Sequence, residues 1–269
     1  GNVEDGFSVK ATNSIEIKGT VEKAEIEAEG DIVILKGISG KTLGSVRAGK
    51  SVYARFIENA VIEAGNMVVA TDGIINSEVN AYKRIICLGK RARIVGGRYR
   101  ASEEINAKTI GSVASGTETV CEVGIDPKSK KELDELVDKR IAIEKELEEC
   151  KLNFQTLNNI LQQRKSLPED KELQMKEIVE RQKGLTIDLK QIHEDIDRIQ
   201  ETLSAVKTRG RVSASDKIYP GVKVVIRDTT EDVKNEYKAI TFILDNDLIK
   251  AVKYEEPDEE AKRPPPEIG

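Results

Sequence analysis

Residues 26–34, with the sequence Ile-Glu-Ala-Glu-Gly-Asp-Ile-Val-Ile, decide the fold of this chain. Ala28 follows a branched aliphatic residue by two positions, and another aliphatic residue follows Ala28 by four. The alternation of apolar and charged residues on each side of Gly30 is typical of two short β-strands. Gly30 itself lies at the corner between them, where the backbone needs a positive φ or leaves no room for a Cβ.

The same pattern recurs through the N-terminal part of the sequence. The step from the Ala to the next aliphatic residue is constant, whereas the distance between repeats varies between about 15 and 20 residues. A fixed corner with loops of variable length indicates a coil of parallel strands whose inward side chains stack in columns. Consecutive β-hairpins are the second interpretation, which the scarcity of Asn-Gly and Asp-Gly turns disfavours. The repeats are Val9-Ala11-Ile15, Ile26-Ala28-Ile32, Val46-Ala48-Val52, Ile62-Ala64-Val68 and Val79-Ala81-Ile85, with weaker continuations at Ile94-Gly96 and Ile105-Ala107.

A different period begins near Asp126-Pro127, where apolar residues recur in alternating steps of three and four. Such heptads predict a long antiparallel coiled-coil hairpin over residues 128–208, projecting from the β body, with its turn near 166–170. Ser166 can cap the second helix, and Pro168 fits its first turn. Helices of roughly 38 residues would be about 55–60 Å long. The tip of this hairpin is a candidate partner-binding site: Arg164, Lys165, Ser166, Leu167, Pro168 and Glu169.

The order of these patterns predicts how the chain is organised. Residues 1–127 form the turns of the coil, and residues 209–254 return as strands that complete the same body, so the hairpin is an insertion. From residue 255 to residue 269 the acidic, proline-containing sequence predicts a disordered tail. The leading Gly1 suggests a fragment whose natural N-terminus is missing.

Composition narrows the classes of function. The hydrophobic share is 38%, the aromatic share is 4%, and the formal net charge is −5, a balance that repeat proteins and coiled coils tolerate. Cys87, Cys121 and Cys150 are widely spaced, which argues against a disulfide framework and favours a reducing, cytoplasmic setting. The single histidine, His193, has no neighbour with which to form a catalytic or metal site. We therefore expect no catalytic residues, no cofactor, no metal ion and no membrane span.

One basic stretch is a candidate binding site. No acidic residue occurs between Glu78 and Glu103, and in a coil the basic residues of this stretch would lie on two adjacent turns. They predict a patch that docks an acidic protein or a polyanion, unless they form a solvated face that offsets the acidic hairpin. Tyr99 is the only well-placed aromatic residue, so binding of single-stranded nucleic acid is not expected. The candidate patch comprises Lys83, Arg84, Lys90, Arg91, Arg93, Arg98 and Arg100.

Several stretches in order along the chain resemble the flagellar assembly protein A (FapA) family. The stretches are Gly96-Gly97-Arg98-Tyr99-Arg100-Ala101, Ile105-x-Ala107-x-x-Ile110-Gly111-Ser112, Val123-Gly124-Ile125-Asp126-Pro127 and Ile218-Tyr219-Pro220-Gly221-Val222. The resemblance implies a right-handed single-stranded parallel β-helix with an inserted coiled coil, in a bacterial protein that usually carries a further N-terminal domain. It also implies a role in flagellar assembly or placement through protein partners, at the cell pole or flagellar base, with no established catalytic residues.

The sequence therefore favours a non-enzymatic scaffold, in which the hairpin and the β-helix surface bind protein partners. The β-helix also resembles the MinC C-terminal domain and the bactofilins, which makes a self-assembling cytoskeletal protein and a homo-oligomer the alternative. A carbohydrate-active β-helix enzyme is a third hypothesis, which a cluster of acidic residues facing one groove would support.

Overall fold

The computed structural model describes residues 1–113, 116–164, 166, 168–205, 209–266 and 268. The chain divides into two compact units, and the second is an insertion in the first. The first comprises Gly1–Lys128 and Val206–Gly269, and the second comprises Ser129–Ala205. The first unit is a β-solenoid of about six turns, and the second is a pair of helices, so the predicted fold of mainly β structure with inserted α structure is confirmed.

Strands account for most of the solenoid, and many of them continue around its corners. The strands are β1 (Ser8–Ala11), β2 (Ile15–Ile17), β3 (Thr20–Val21), β4 (Glu25–Ala28), β5 (Ile32–Ala48), β6 (Val52–Ala64), β7 (Met67–Ala81), β8 (Arg84–Cys87), β9 (Arg93–Ala101), β10 (Glu104–Ile110), β11 (Thr119–Val123), β12 (Arg211–Ile218), β13 (Val222–Ile226), β14 (Thr229–Asp232), β15 (Tyr237–Asp245) and β16 (Leu248–Lys253). The helices are α1 (Pro127–Arg164) and α2 (Glu169–Ala205), and a 3₁₀ helix spans Glu259–Lys262.

Each turn has three straight segments, which stack on the equivalent segments of the next turn in parallel register. In the pairing of β5 with β6, for example, register shifts separate the segments that begin at Ile32, Gly37 and Gly44. We call the three stacks face 1, face 2 and face 3. Face 1 contains β1, β4, β11 and β13, face 2 contains β2, β8 and the start of β12, and face 3 contains β3 and the start of β9.

The inward side chains form the predicted columns. On face 2, Ile32 aligns with Val52, and the column continues through further branched residues that are fully buried. Cys87 aligns with Ala70 and Ala107, which confirms that it occupies a small inward position. A column of branched side chains packs well because each stacks on its neighbour about 4.8 Å away.

The strand register contradicts the predicted continuation of the repeat at Ile94-Gly96 and Ile105-Ala107. The register aligns Val79 with Tyr99 and Ala81 with Ala101, and Tyr99 in turn aligns with Cys121. The pattern therefore continues at Tyr99-Ala101-Ile105 rather than at Ile94-Gly96 and Ile105-Ala107. At this position an aromatic residue and then a cysteine replace the branched aliphatic residue. The repeat is therefore not visible in the sequence as a pattern of aliphatic residues.

Close approach between turns explains the corner glycines. A Cβ added to Gly65 would collide with the carbonyl oxygen of Gly49, and one added to Gly49 would collide with that of Glu29. Neither glycine has a positive φ, so lack of space is the reason for glycine at these corners.

Antiparallel strands cover the C-terminal end of the solenoid. β14 pairs with β13, β15 pairs with β12, and β16 pairs with β15, all antiparallel. All three strands lie within residues 209–254, where the sequence predicts returning strands, and β14 is the shortest of them.

The two helices pack against each other in antiparallel orientation. Leu133 near the start of α1 is buried in one cluster with Ile196 and Ile199 near the end of α2. Further along, Arg181 donates hydrogen bonds of 2.6 and 2.9 Å to the carboxylate of Glu146. No helix among the described residues is both long enough and apolar enough to cross a membrane.

The tail predicted to be disordered is ordered over Glu255–Lys262. It forms the 3₁₀ helix and buries Ala261 in a cluster with Met67 and Ile86. Composition alone predicted disorder, because an acidic segment has little apolar surface of its own. The solenoid supplies that surface instead.

Candidate functional site

The structure spreads the predicted basic patch over different parts of the solenoid. Arg98 and Arg100 lie on face 1, whereas Arg84 begins β8 on face 2. Lys90 and Arg91 are exposed between β8 and β9. Lys83, which is half-buried, and Arg93, which is exposed, are the remaining members. The seven residues therefore do not form a single surface.

Arg100 belongs to a ladder of charges that runs along face 1. The register places it between Asn80 and Glu122, in the same column as Lys10 and Glu27 nearer the N-terminus. Arg100 Nε donates to Glu122 Oε2 over 3.4 Å, and its side chain is only 2% exposed. Its Nη1 also lies 3.3 Å from Glu78 Oε1. The charge of Arg100 is thus balanced inside the structure.

Arg84 is balanced in the same way, but by residues from two parts of the sequence. Its guanidinium lies 2.7 Å from Glu103, 2.9 Å from Asp258 and 3.4 Å from Glu260. A stretch without acidic residues does not predict an unpaired basic patch in a solenoid. The spatial neighbours of a residue come from adjacent turns, many residues away in the sequence. Of the seven residues, Lys90, Arg91, Arg93 and Arg98 are exposed.

The other predicted site is the tip of the hairpin. α1 ends at Arg164 and α2 begins at Glu169, while Lys165 and Leu167 lie outside the described residues. Pro168 directly precedes α2, and its carbonyl oxygen accepts hydrogen bonds from the N–H groups of Lys171 and Glu172. Ser166 is exposed. The role of the tip in binding stays a prediction.

A cavity that the sequence did not predict lies at the corner from face 1 to face 2, near the C-terminal end of the solenoid. Its volume is about 650 Å³. The lining combines four arginines with five acidic residues: Arg84, Arg209, Arg211, Arg227, Glu103, Glu104, Asp245, Glu255 and Asp258. No sequence motif marks it, because β8, β10, β12, β15 and the C-terminal segment each contribute one or a few residues.

Four of the five carboxylates of this cavity are held by two of the arginines, and the fifth, Asp245, pairs with Lys250. Arg211 lies 3.1 Å from Glu104 and 2.8 Å from Glu255, and Arg84 holds Glu103 and Asp258. None of the described lining residues is His, Cys, Ser or Thr. Four of the five acids that face this groove are ion-pair partners of arginines, an arrangement of charges that can bind charged groups.

A buried polar network continues from the cavity beneath the C-terminal segment. Asn106, which is fully buried, donates from Nδ2 to Glu104 Oε1 over 2.8 Å and accepts from the hydroxyl of Tyr254 over 3.3 Å. The hydroxyl groups of Ser213 and Thr241 lie 3.0 Å apart. Burial raises the pKa of Tyr254, against the lowering effect of its hydrogen bond with Asn106. Asn106 and Ser213 face outward on face 2, and Glu255 of the C-terminal segment contacts Asn106 and Thr241.

Two of the cysteines and Tyr99 are inert parts of the core. Burial raises the pKa of Cys87 to about 12 and also raises that of Cys121. Tyr99, the one aromatic residue that the sequence places suitably within the patch, is fully buried, and its hydroxyl donates to the Gly96 carbonyl over 2.6 Å. A stacking platform for nucleic acid is therefore not formed by Tyr99.

Comparison with known protein families gives a match over most of the chain. The family described as Flagellar Assembly Protein A (FapA) beta solenoid domain matches residues 1–249. This range includes the solenoid turns, both helices and the returning strands as far as the start of β16. Neither the curated proteins nor the solved structures contain a match to the chain.

Proposed function

Since the chain belongs to the FapA flagellar assembly family, we propose that it is a non-enzymatic scaffold that binds protein partners during flagellar assembly. Its helical hairpin and its solenoid surface are the binding elements, and it acts in the cytoplasm at the cell pole or flagellar base. Family membership supports the flagellar role, and the inserted hairpin supports the scaffold role.

The observation that carries the proposal is the way the hairpin is inserted. In the preceding turn, Ser102 and Glu103 form the corner between β9 and β10. Gly124 and Gly210 take the equivalent positions around the insertion, since the Gly124 N–H donates to the Ser102 carbonyl and the Arg211 N–H donates to the Glu103 carbonyl. The hairpin is therefore an addition to a corner that is already complete, and the solenoid does not need it to close its turn.

The hairpin also keeps apolar side chains in solvent. Ile141 and Leu152 on α1 are each 54% exposed, and Leu173 and Ile187 on α2 are 58% and 69% exposed. Two paired helices bury one apolar seam, so these exposed residues do not contribute to the packing of the pair. They support docking of a partner along the hairpin.

The test is a deletion that joins Gly124 directly to Gly210. We expect the shortened protein to keep the circular dichroism of a β-solenoid and to lose helical signal, while failing to restore motility and flagellar number in a strain that lacks the gene. A matched variant keeps the hairpin but changes Ile141 and Ile187 to Ser, and should restore motility only in part. Full motility with the deletion would refute the role of the hairpin.

Self-assembly of the bactofilin or MinC kind is the second candidate. End-to-end stacking needs an unpaired strand edge at the end of the coil. At the C-terminal end, β14 and β15 already pair with β13 and β12, which disfavours stacking there. Sedimentation of concentrated protein distinguishes filaments from a discrete species.

A further inference from the structure

The C-terminal segment Tyr254–Lys262, which we call the strap, lies across the outer side of face 2. At its start, the Glu255 N–H donates to Thr241 Oγ1 over 3.0 Å, on β15. At its end, Ala261 contacts the cluster of Met67 and Ile86, on β7 and β8. Because β15, β12, β10, β8 and β7 follow one another in the sheet, the strap crosses the strands instead of pairing with one of them.

Charge complementarity holds the strap at two places. Five of its nine residues are acidic, and two arginines of face 2 pair with three of these side chains. Arg211 binds the Glu255 carboxylate over 2.8 Å and the Glu256 carbonyl over 3.4 Å. Arg84, whose side chain is 12% exposed, binds Asp258 and Glu260. The strap is thus recognised as an acidic extended peptide.

Two small apolar residues also anchor the strap. One lies between the two ion-paired sites in the sequence, and the other follows the second site. Pro257 and Ala261, four residues apart, are both buried. Ala261 fills a recess formed by Met67 and Ile86, with Val69 and Leu88 at its margin. An outward apolar recess on a solenoid face is unexpected, because the outward positions of a coil are normally solvated. Together with the two arginines, the recess makes a preformed groove with a fixed spacing of charge and apolar sites.

The attachment of the strap also has the properties of an exchangeable contact. It relies on side chains and a few hydrogen bonds to single backbone atoms, with no ladder of strand hydrogen bonds. The ion pairs are partly exposed, since Asp258 is 61% and Glu260 is 49% exposed, so solvent can compete for them. A peripheral element held in this way opens locally without unfolding of the solenoid.

We propose that the outer side of face 2 is a docking groove for an acidic extended segment of a partner protein, and that the strap is its resident competitor. The partner segment carries two small apolar residues four positions apart, flanked by carboxylates, and binds when the strap leaves. A tethered strap has an effective concentration on the order of millimolar, so it suppresses partners that bind weakly. This proposal goes beyond the scaffold role of the hairpin and stands on different residues.

The test uses the full chain and a fluorescein-labelled synthetic peptide with the sequence of residues 254–266, followed by fluorescence anisotropy. Ala261→Arg places a long cation in the recess beside Arg84 and releases the strap. We expect this variant to bind the peptide at least tenfold more tightly than the wild type. Ala251→Arg, at an exposed position on β16, is the matched control and should behave as the wild type.

A second release variant and a groove variant make the outcome decisive. Asp258→Lys combined with Glu260→Lys releases the strap without touching the recess and should give the same gain. Arg84→Glu added to Ala261→Arg should remove peptide binding. The proposal is overturned if all variants bind the peptide equally. It is also overturned if neither release variant binds the peptide although its melting curve is unchanged. A wild-type dimer that Ala261→Arg dissociates overturns it as well, because the strap would then occupy a second copy.

Discussion

Removing one partner of the buried ion pair Arg100–Glu122 should destabilise the solenoid strongly. The two side chains are 2% and 6% exposed, and their charged atoms are 3.4 Å apart. At an effective dielectric constant of about 20, unit charges at that distance interact by about 5 kcal/mol. Glu122→Gln keeps the shape and one acceptor, and Glu78 still faces Arg100, so we expect a loss of about 3 kcal/mol in the free energy of unfolding.

Urea denaturation followed by circular dichroism measures this loss. With a slope of about 2–3 kcal/mol/M, the midpoint should fall by roughly 1 M. The control is Glu27→Gln in the same column. Glu27 pairs with Lys10 over 2.8 Å, but those side chains are 50% and 68% exposed, so the midpoint should not change measurably.

A double substitution separates the cost of an unpaired charge from the value of the pair. Arg100→Met with Glu122→Leu removes both buried charges. Glu78 and Arg98 each lose this partner, but their side chains are 40% and 47% exposed and can be hydrated, so stability should return to within about 1 kcal/mol of the wild type. If Glu122→Gln shifts the midpoint no more than Glu27→Gln does, the pair is hydrated and the reasoning from burial is wrong. If the double variant is as unstable as Glu122→Gln, the loss comes from packing instead of charge.

Three further predictions use matched positions in the same chain. Ile85→Ala, in a fully buried column, should cost about 2–5 kcal/mol in urea denaturation; a loss below 1 kcal/mol would contradict the packing. Gly65→Ala should lower the melting temperature because the added Cβ collides with the Gly49 carbonyl oxygen. In contrast, a Cβ added to Gly184 on α2 meets no atom within 4 Å, so Gly184→Ala should stabilise the hairpin by up to about 1 kcal/mol. At pH 8 a thiol reagent should modify Cys150 but not Cys87, because a pKa raised to about 12 leaves almost no thiolate; rapid reaction of Cys87 would show that the core opens.

The parts of the fold that could be predicted from the sequence are those that repeat. The inward columns depend on positions a fixed step apart, so Val52 and Val68 could be placed before any coordinates were known. The helices likewise repeat every three or four residues. The repeat is not recognisable at Tyr99 in the sequence, because an aromatic side chain breaks a pattern of aliphatic residues even though the backbone position is unchanged.

The candidate site could not be predicted because its contacts have no fixed spacing. Arg84 meets Glu103 from the next turn, but Asp258 from the far end of the chain. No local pattern links these positions, and the acidic composition of the C-terminal segment indicates disorder when it is considered alone. The segment packs on the solenoid because Ile86 forms part of an apolar recess on its outer side. That Ile86 faces outward follows from the register of β8 and could not be inferred from the residue type.

The hairpin and the strap, on which our two proposals rest, are independent of each other for a physical reason. The corner that carries the hairpin keeps the hydrogen bonds of an ordinary corner, through Gly124 and Arg211, so changes in the helices do not alter the register of the following turns. The strap in turn is anchored to outward side chains and leaves the inward columns intact when it moves. A coil with additions only at corners and outer faces therefore keeps its core when those additions change, and this independence supports the scaffold role that we propose.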